Sequence, residues 1–253
     1  MEKELILYSK AEDLKRLNFI YSNIKDTIGE TGKVLDVGCG NGNISLFMGQ
    51  KGYNVKGIDI SPDAITVAKK RNPYKHVEFE VCPAEELRDN GERYKAVVCS
   101  EVLEHLDEPN KLVDVLFDIL DDDGVLVVTV PNGYGPREVL MTKPMQAIYR
   151  KGGFWKNLLM GTKSSLGYSG TTVQSAAEDL THVQFFSRKA LRALAGGSKF
   201  KIEKIRNANF VEAIFPYSFL TNRIMALQKL DCAVADILPV GFTSGFYTVW
   251  KKA

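Results

Sequence analysis

The most informative stretch for ligand chemistry is Val34-Leu35-Asp36-Val37-Gly38-Cys39-Gly40-Asn41-Gly42-Asn43. An apolar run, the pattern of a buried strand, ends in a turn with glycines at 38, 40 and 42. Glycines there let the backbone bend sharply and let a ligand approach without meeting a Cβ atom. The helix that follows offers unpaired N–H groups to a polar ligand. A dinucleotide fingerprint, Gly-x-Gly-x-x-Gly, would need its third glycine at 43, where the chain has Asn43. Asp36, just ahead of the first glycine, suits a cationic ligand better than a pyrophosphate. Both features speak against a nicotinamide-dependent oxidoreductase, an option that fold alone would not separate.

Asp59 closes a second apolar run, 21 residues after Gly38. A carboxylate there can accept both ribose hydroxyl hydrogens of a nucleoside. On its own Asp59 reads as a cap for the helix that Ser61-Pro62 opens. Beside the glycine turn, the ligand reading is the stronger one.

A second constellation is Glu101-x-x-Glu104-His105. At helical spacing, 101 shares a face with 104 or 105. Two carboxylates and an imidazole suit Mg²⁺ or a similar ion, and an imidazole titrates near neutral pH, as an acid–base group must. His182, which opens His-Val-Gln-Phe-Phe-Ser-Arg, is a further ligand or base. The catalytic candidates are therefore His105, His182 and Glu104, and the metal candidates Glu101, Glu104, His105 and His182. His76 precedes a strand and reads as surface. Pro131-Asn132-Gly133-Tyr134-Gly135 follows the fifth apolar run, where a loop would contact a substrate. Met141, Met145, Tyr149, Phe154, Trp155 and Met160 beyond it read as the core of a cap, or as a wall for an apolar substrate. Arg137, Lys143, Arg150, Lys151 and Lys156 read as a solvated face, or as contacts to an anionic group.

Such residues need a frame. Apolar runs at 33–37, 54–59, 77–82, 95–100 and 125–130 alternate with helical segments from about 42, at 62–71 and at 109–120. Ser61-Pro62 supplies an N-cap with proline at the first helical position, and residues 121–124 read as a turn. This rhythm predicts an α/β fold: a Rossmann-like, mostly parallel sheet with helices on both faces. Ligands then bind outside the carboxyl ends of the strands. An N-terminal helix carries Leu14, Leu17, Tyr21, Ile24 and Ile28 on one face. Residues 187–195 read as a helix, 200–205 as a strand and 246–250 as an antiparallel closing strand. The expected organisation is one domain, with core segments at about 30–131, 183–210 and 244–253. Cap insertions fall at about 132–182 and 211–243.

VLDVGCGNG, GIDIS, CPAEEL and SEVLEHL, in this order, resemble class I S-adenosylmethionine-dependent methyltransferases over roughly residues 32–132. The resemblance implies that Gly38, Cys39 and Gly40 line the methionine part of S-adenosylmethionine and that Asp36 orients it through water. It further implies that Asp59 holds the ribose, that Ile60, Ala84 and Glu85 border the adenine, and that Ser100 faces the methionine amino group. One departure is Pro83, at a position often acidic in this family; proline cannot bond the adenine amino group. Glu-x-x-Glu-His resembles the metal site of ubiquinone-pathway O-methyltransferases and small-RNA 2′-O-methyltransferases, with His182 placed like a further ligand of the latter. Many metal-free relatives carry the same motif, so both readings stand. HVQFFSRKAL and ADILPVGFTSGFY resemble methyltransferases of bacterial surface glycans and related natural products. The expected reaction is methyl transfer to a hydroxyl of a small molecule, sugar or lipid-linked acceptor. Nitrogen or carbon acceptors and a non-catalytic cofactor-binding protein are the alternatives.

Composition bounds the partners. A net charge of +2, from 33 basic and 31 acidic residues, does not select nucleic acid. The chain also lacks the Asn/Asp-Pro-Pro-aromatic signature of DNA amino-methylating enzymes, which disfavours DNA and leaves RNA open. No apolar run is long enough to span a bilayer, and Met1-Glu2-Lys3-Glu4 is charged and is not followed by the long apolar core expected of a signal peptide. Cys39, Cys82, Cys99 and Cys232 show no metal-ligand spacing and read as reduced, structural thiols of a cytoplasmic protein.

Overall fold

The computed structural model describes residues 10–136, 139–140, 183–211, 220–221 and 223–253. Among them the strands are β1 Lys33–Val37, β2 Asn54–Asp59, β3 Val77–Val81, β4 Tyr94–Ser100, β5 Leu120–Pro131, β6 Phe200–Asn207 and β7 Gly245–Lys252. They form one sheet in the order β3-β2-β1-β4-β5-β7-β6. β1 to β5 run parallel, whereas β7 lies antiparallel to both β5 and β6. The antiparallel strand expected at the end of the chain is thus wedged inside the sheet. The helices are α1 Ala11–Ile28, α2 Asn43–Gln50, α3 Pro62–Arg71, α4 Ala84–Asp89, α5 Pro109–Ile119, α6 Arg188–Gly197 and α7 Met225–Ile237.

Successive strand residues point to opposite faces, and both faces are covered. On one side Val34, Val55, Ala96, Val98 and Val127 pack with Leu17, Ile20 and Ile24 of α1, Leu46 and Met48 of α2, and Ile65 and Ala68 of α3. On the other, Leu35, Ile58, Val97, Cys99 and Val128 meet Leu87 of α4, Leu116 and Ile119 of α5, and Leu191 and Ala195 of α6. The chain leaves β1 toward β2 and returns to β4 on the opposite side. A reversal of this kind, at the carboxyl ends of β1 and β4, is where open α/β sheets bind their ligands.

Local signals act as expected at several ends. Ser61 Oγ accepts from the Ala64 N–H at 3.3 Å, with Pro62 at the first position of α3. Ser187 Oγ does the same for Ala190 at 3.1 Å at the start of α6. Elsewhere packing overrides the pattern. The buried stripe of α1 includes Arg16, Ile20 and Asn23, while Leu14 is exposed, because both polar side chains find partners inside. α4 has six residues, too few for a periodic signal. The turn expected at 121–124 is a bulge within β5: Tyr94 pairs with Leu120 and Ala96 with Val125, so the residues between leave the ladder.

Of the segment 132–182, expected as a cap insertion, residues 137–138 and 141–182 lie outside the described residues. Arg137, the basic and aromatic side chains from Met141 to Met160, and His182 are among them. In the segment 211–243, expected as the other insertion, α7 packs on α1. Gln228 Oε1 accepts from the Ala11 N–H at 2.9 Å, and Lys15 Nζ donates to Asp236 Oδ1 at 2.7 Å. All four cysteines are buried and unbridged, in line with structural thiols.

Candidate functional site

The three glycines of the turn after β1 all have positive φ: +69° at Gly38, +52° at Gly40 and +80° at Gly42. They do different work. A Cβ at Gly38 would lie 2.4 Å from Val102 Cγ2, and one at Gly42 would lie 2.6 Å from the Phe79 ring. Those two positions are glycine because neighbours fill the space. A Cβ at Gly40 would meet nothing within 4 Å, so this glycine borders an opening. The Gly42 N–H donates to the Cys39 carbonyl at 2.9 Å and closes the turn, and the Cys39 N–H donates to the Ile58 carbonyl at 2.9 Å and ties it to β2.

Asp59 ends β2 beside this opening. Its Oδ2 accepts from the Gly40 N–H at 2.8 Å and its Oδ1 from the Ser61 N–H at 2.9 Å. The capping role and the ligand role therefore coexist. Each carboxylate oxygen has a second acceptor position, and two fixed oxygens suit a vicinal diol. Ile60, next in the chain, is 76% exposed and leaves an apolar side chain at the strand end, as a flat base would require. The Cys82 N–H donates to the Asp59 carbonyl at 3.2 Å and holds the following loop alongside. In that loop Pro83 precedes α4 with no side-chain cap, Ala84 is buried and Glu85 exposed.

Asp36 is buried and accepts from Ser45 Oγ at 2.6 Å. Burial pushes its carboxyl up to about 7; the Ser45 hydrogen bonds oppose the shift and the nearby Asp59 charge adds to it. A cation arriving beside it would offset this penalty. Burial, with the charges of Asp36 and Asp59, also drives the Cys39 thiol far up. Cys39 thus lines the turn as a neutral thiol. Ser100 is buried, and its Oγ lies 2.8 Å from Thr129 Oγ1 in a hydrogen bond.

The 101–105 segment departs from the helical spacing expected of it. Glu101 has a left-handed φ of 57°, and only Leu103–His105 form a single 3₁₀ turn. Glu101 Oε1 accepts from Thr129 Oγ1 at 2.9 Å and lies 3.5 Å from Arg16 Nη1. Arg16 is buried and also binds Asp13 at 2.7 Å. Glu101 is thereby turned toward α1. Glu104 is buried, with Oε1 3.8 Å from His105 Nε2. Among the described residues no three His, Cys, Asp or Glu side chains gather as they would around a metal ion. Sequence reasoning missed Thr129 and Arg16. The lone hydroxyl in the apolar run Val125-Leu126-Val127-Val128-Thr129-Val130 was the one available signal for the former.

The carbonyl of Glu104 accepts from the Val183 and Gln184 N–H groups at 2.8 and 3.0 Å, joining the His105 turn to the segment leading into α6. The Gly133 N–H donates to the Phe186 carbonyl at 2.8 Å. Asn132, buried, donates from Nδ2 to the Gly241 and Thr243 carbonyls, both at 2.8 Å, and accepts from the Tyr134 N–H at 3.1 Å. Three loops thus meet at the carboxyl end of β5, with Tyr134 63% exposed on them.

The family model for a methyltransferase domain matches residues 11–205, well over half of the chain. The ubiquinone biosynthesis O-methyltransferase of Rattus norvegicus mitochondria is 35% identical over 106 residues, covering 40% of this chain and 31% of that protein. The Actinobacillus pleuropneumoniae protein of the same name is 32% identical over 124 residues, covering 46% of this chain and 52% of its own. The chain therefore matches about half or less of the length of these relatives. Among solved structures, a SAM-dependent methyltransferase from Archaeoglobus fulgidus superposes with a TM-score of 0.59 at 16% identity, covering 96% of this chain and 95% of that one. The magnesium protoporphyrin IX methyltransferase of Synechocystis, with bound SAH, gives a TM-score of 0.56 at 16% identity, covering 96% and 84%. At such identities the superpositions establish the fold. The family match covers the glycine turn and every strand from β1 to β5, and the chain belongs to the methyltransferase-domain family, with the Rossmann-like sheet of its class I S-adenosylmethionine-dependent members.

Proposed function

We propose that this chain is an S-adenosylmethionine-dependent methyltransferase that methylates a hydroxyl oxygen of a small molecule. One observation carries the cofactor assignment: the opening at Gly40 and the two fixed oxygens of Asp59 are joined by a 2.8 Å hydrogen bond at the carboxyl edge of the sheet. When bound, the cofactor would supply an electrophilic methyl carbon for transfer to the acceptor oxygen, with the carbon–sulfur electron pair left on sulfur and the acceptor proton lost to a base. In this reading Asp59 holds the ribose hydroxyls and Ile60 covers the adenine, with Ala84 and Glu85 at its edge. Gly38, Cys39 and Gly40 line the methionine part, with Gly40 letting it pass close to the backbone, Asp36 favours its positive charge, and Ser100 lies at its amino end. His105, backed by the buried Glu104, takes the acceptor proton, and His182 is a second candidate for that role. Glu101 is engaged by Thr129 and Arg16, so the described residues do not gather the oxygen-rich ligand set that Mg²⁺ prefers.

That the relatives are ubiquinone biosynthesis O-methyltransferases supports oxygen as the acceptor atom and a small molecule as its carrier. A sugar or lipid-linked hydroxyl is the finer reading, supported by the short C-terminal resemblances and by the exposed Tyr134 at the site edge. The test is calorimetric titration with S-adenosylhomocysteine, beside NAD⁺ and NADH, on the chain and on Asp59→Ala. Binding of S-adenosylhomocysteine alone, weakened by the substitution, supports the assignment and opens an acceptor screen over catechols, sugars and lipid-linked alcohols, with and without a chelator. Nicotinamide binding without S-adenosylhomocysteine binding would sink it.

A further inference from the structure

Arg71 is the last residue of α3, and its side chain reaches back to the glycine turn. Nη1 donates to the Asn41 carbonyl at 2.5 Å and Nη2 to Asn43 Oδ1 at 2.7 Å. Asn41 lies between Gly40 and Gly42, and Asn43, a buried residue, is the first of α2. The guanidinium thus grips the turn on both sides of Gly42, the point where φ is +80° and the strand hands over to the helix.

A second contact makes this grip part of a larger brace. A Cβ built at Gly42 would sit 3.1 Å from Ala68 Cβ. Ala68 and Arg71 are three apart on α3 and share a face. The turn therefore rests on α3 at Ala68 and is bonded to it one step further on. The other end of α3 begins at Ser61, whose N–H is bound by Asp59. One helix of ten residues consequently connects the carboxylate assigned to the ribose with the turn assigned to the methionine part. Its cationic end is also where the helix dipole favours a positive charge.

We infer that Arg71 is a positioning residue for the cofactor, holding the Gly40–Asn43 backbone in the shape that leaves the opening at Gly40. It acts through the Asn41 carbonyl and Asn43 and does not itself touch the ligand. Planarity matters: a guanidinium presents two parallel donors to two acceptors, which a lysine ammonium cannot reproduce. The inference rests on the cofactor assignment made above, and the experiment separates the two.

S-adenosylhomocysteine affinity would be measured by calorimetry for the unchanged chain, Arg71→Ala, Arg71→Lys and Asn43→Ala, with thermal melting of each without ligand. Arg71→Ala removes both charge-assisted hydrogen bonds and should raise Kd about tenfold or more, while keeping a cooperative melt. Methylguanidinium should restore part of that affinity to Arg71→Ala and none to Arg71→Lys. Asn43→Ala should weaken binding less than Arg71→Ala, and the double variant should fall short of the sum. An unchanged Kd in Arg71→Ala overturns the inference, as does a loss that methylguanidinium leaves untouched. Should Arg71→Ala fail to melt cooperatively, Arg71→Lys and Asn43→Ala decide: Kd values equal to that of the unchanged chain overturn it. Absence of S-adenosylhomocysteine binding by the unchanged chain would instead remove the cofactor assignment.

Discussion

The Gly40 backbone N–H and the Asp59 Oδ2 oxygen lie 2.8 Å apart, so the turn after β1 and the end of β2 are bonded directly to one another by the protein itself. Pre-organisation of this kind lowers the ordering cost of binding. Asp59→Ala removes the acceptor for both Gly40 and Ser61 and should raise the S-adenosylhomocysteine Kd by roughly ten- to a hundredfold. Asp59→Asn keeps one oxygen and should fall between. Calorimetry on both variants checks the order, and equal affinities would contradict it.

Gly38 and Gly40 should respond differently to alanine, although both have positive φ. Gly38→Ala drives a Cβ to 2.4 Å from Val102 and should destabilise the fold by about 2–4 kcal/mol, from overpacking plus the left-handed backbone. Gly40→Ala meets no protein atom and should cost only about 1–2 kcal/mol, yet put a methyl group into the opening and weaken cofactor binding. Denaturant unfolding and ligand titration, run side by side, distinguish a packing glycine from a binding glycine.

The raised carboxyl of Asp36 makes two pH predictions. The folded chain holds this proton more tightly than the unfolded one, so stability falls as pH rises from the ordinary carboxyl value of 3.8 to about 7 and then levels off. Asp36→Asn should lose that component, visible as a smaller drop in unfolding free energy between pH 5 and pH 8. The ionised form is the one that attracts a sulfonium. S-adenosylmethionine affinity should therefore rise through neutral pH in the unchanged chain and change less in Asp36→Asn.

His105→Ala should leave S-adenosylhomocysteine binding intact and lower kcat by about a hundredfold or more, the usual scale of a lost general base. Once an acceptor is in hand, steady-state kinetics and a pH profile check this. A kcat loss accompanied by an equal loss of cofactor affinity would assign His105 to binding instead.

Asn132 should prove structural in a way that reaches the acceptor side. Asn132→Ala strands the Gly241 and Thr243 carbonyls and the Tyr134 N–H, costing about 2–4 kcal/mol. Hydrogen exchange should then quicken at Tyr134 and around 241–244, with little change at the glycine turn.

Which features were legible beforehand follows from the range of the interactions that make them. Apolar runs long enough for strands, the Ser61-Pro62 start of α3 and the sharp glycine turn at 38, 40 and 42 depend on neighbours within a few residues, and the sequence alone determined them; that Val102 and Phe79 crowd Gly38 and Gly42 is tertiary. The same holds for Asp59, whose place at a strand end follows from the run before it. Tertiary structure decided the rest. β7 slots between β5 and β6 because its hydrogen-bonding partners lie on strands up to about 120 residues away in sequence. Glu101 takes a left-handed turn instead of starting a helix, since Thr129 and Arg16, on elements remote in sequence, hold its side chain. Asp59 has each oxygen bound to a backbone N–H, and Arg71 grips a turn 30 residues before it. A hydrogen bond depends on distance and angle in space, and sequence spacing encodes these only within one element.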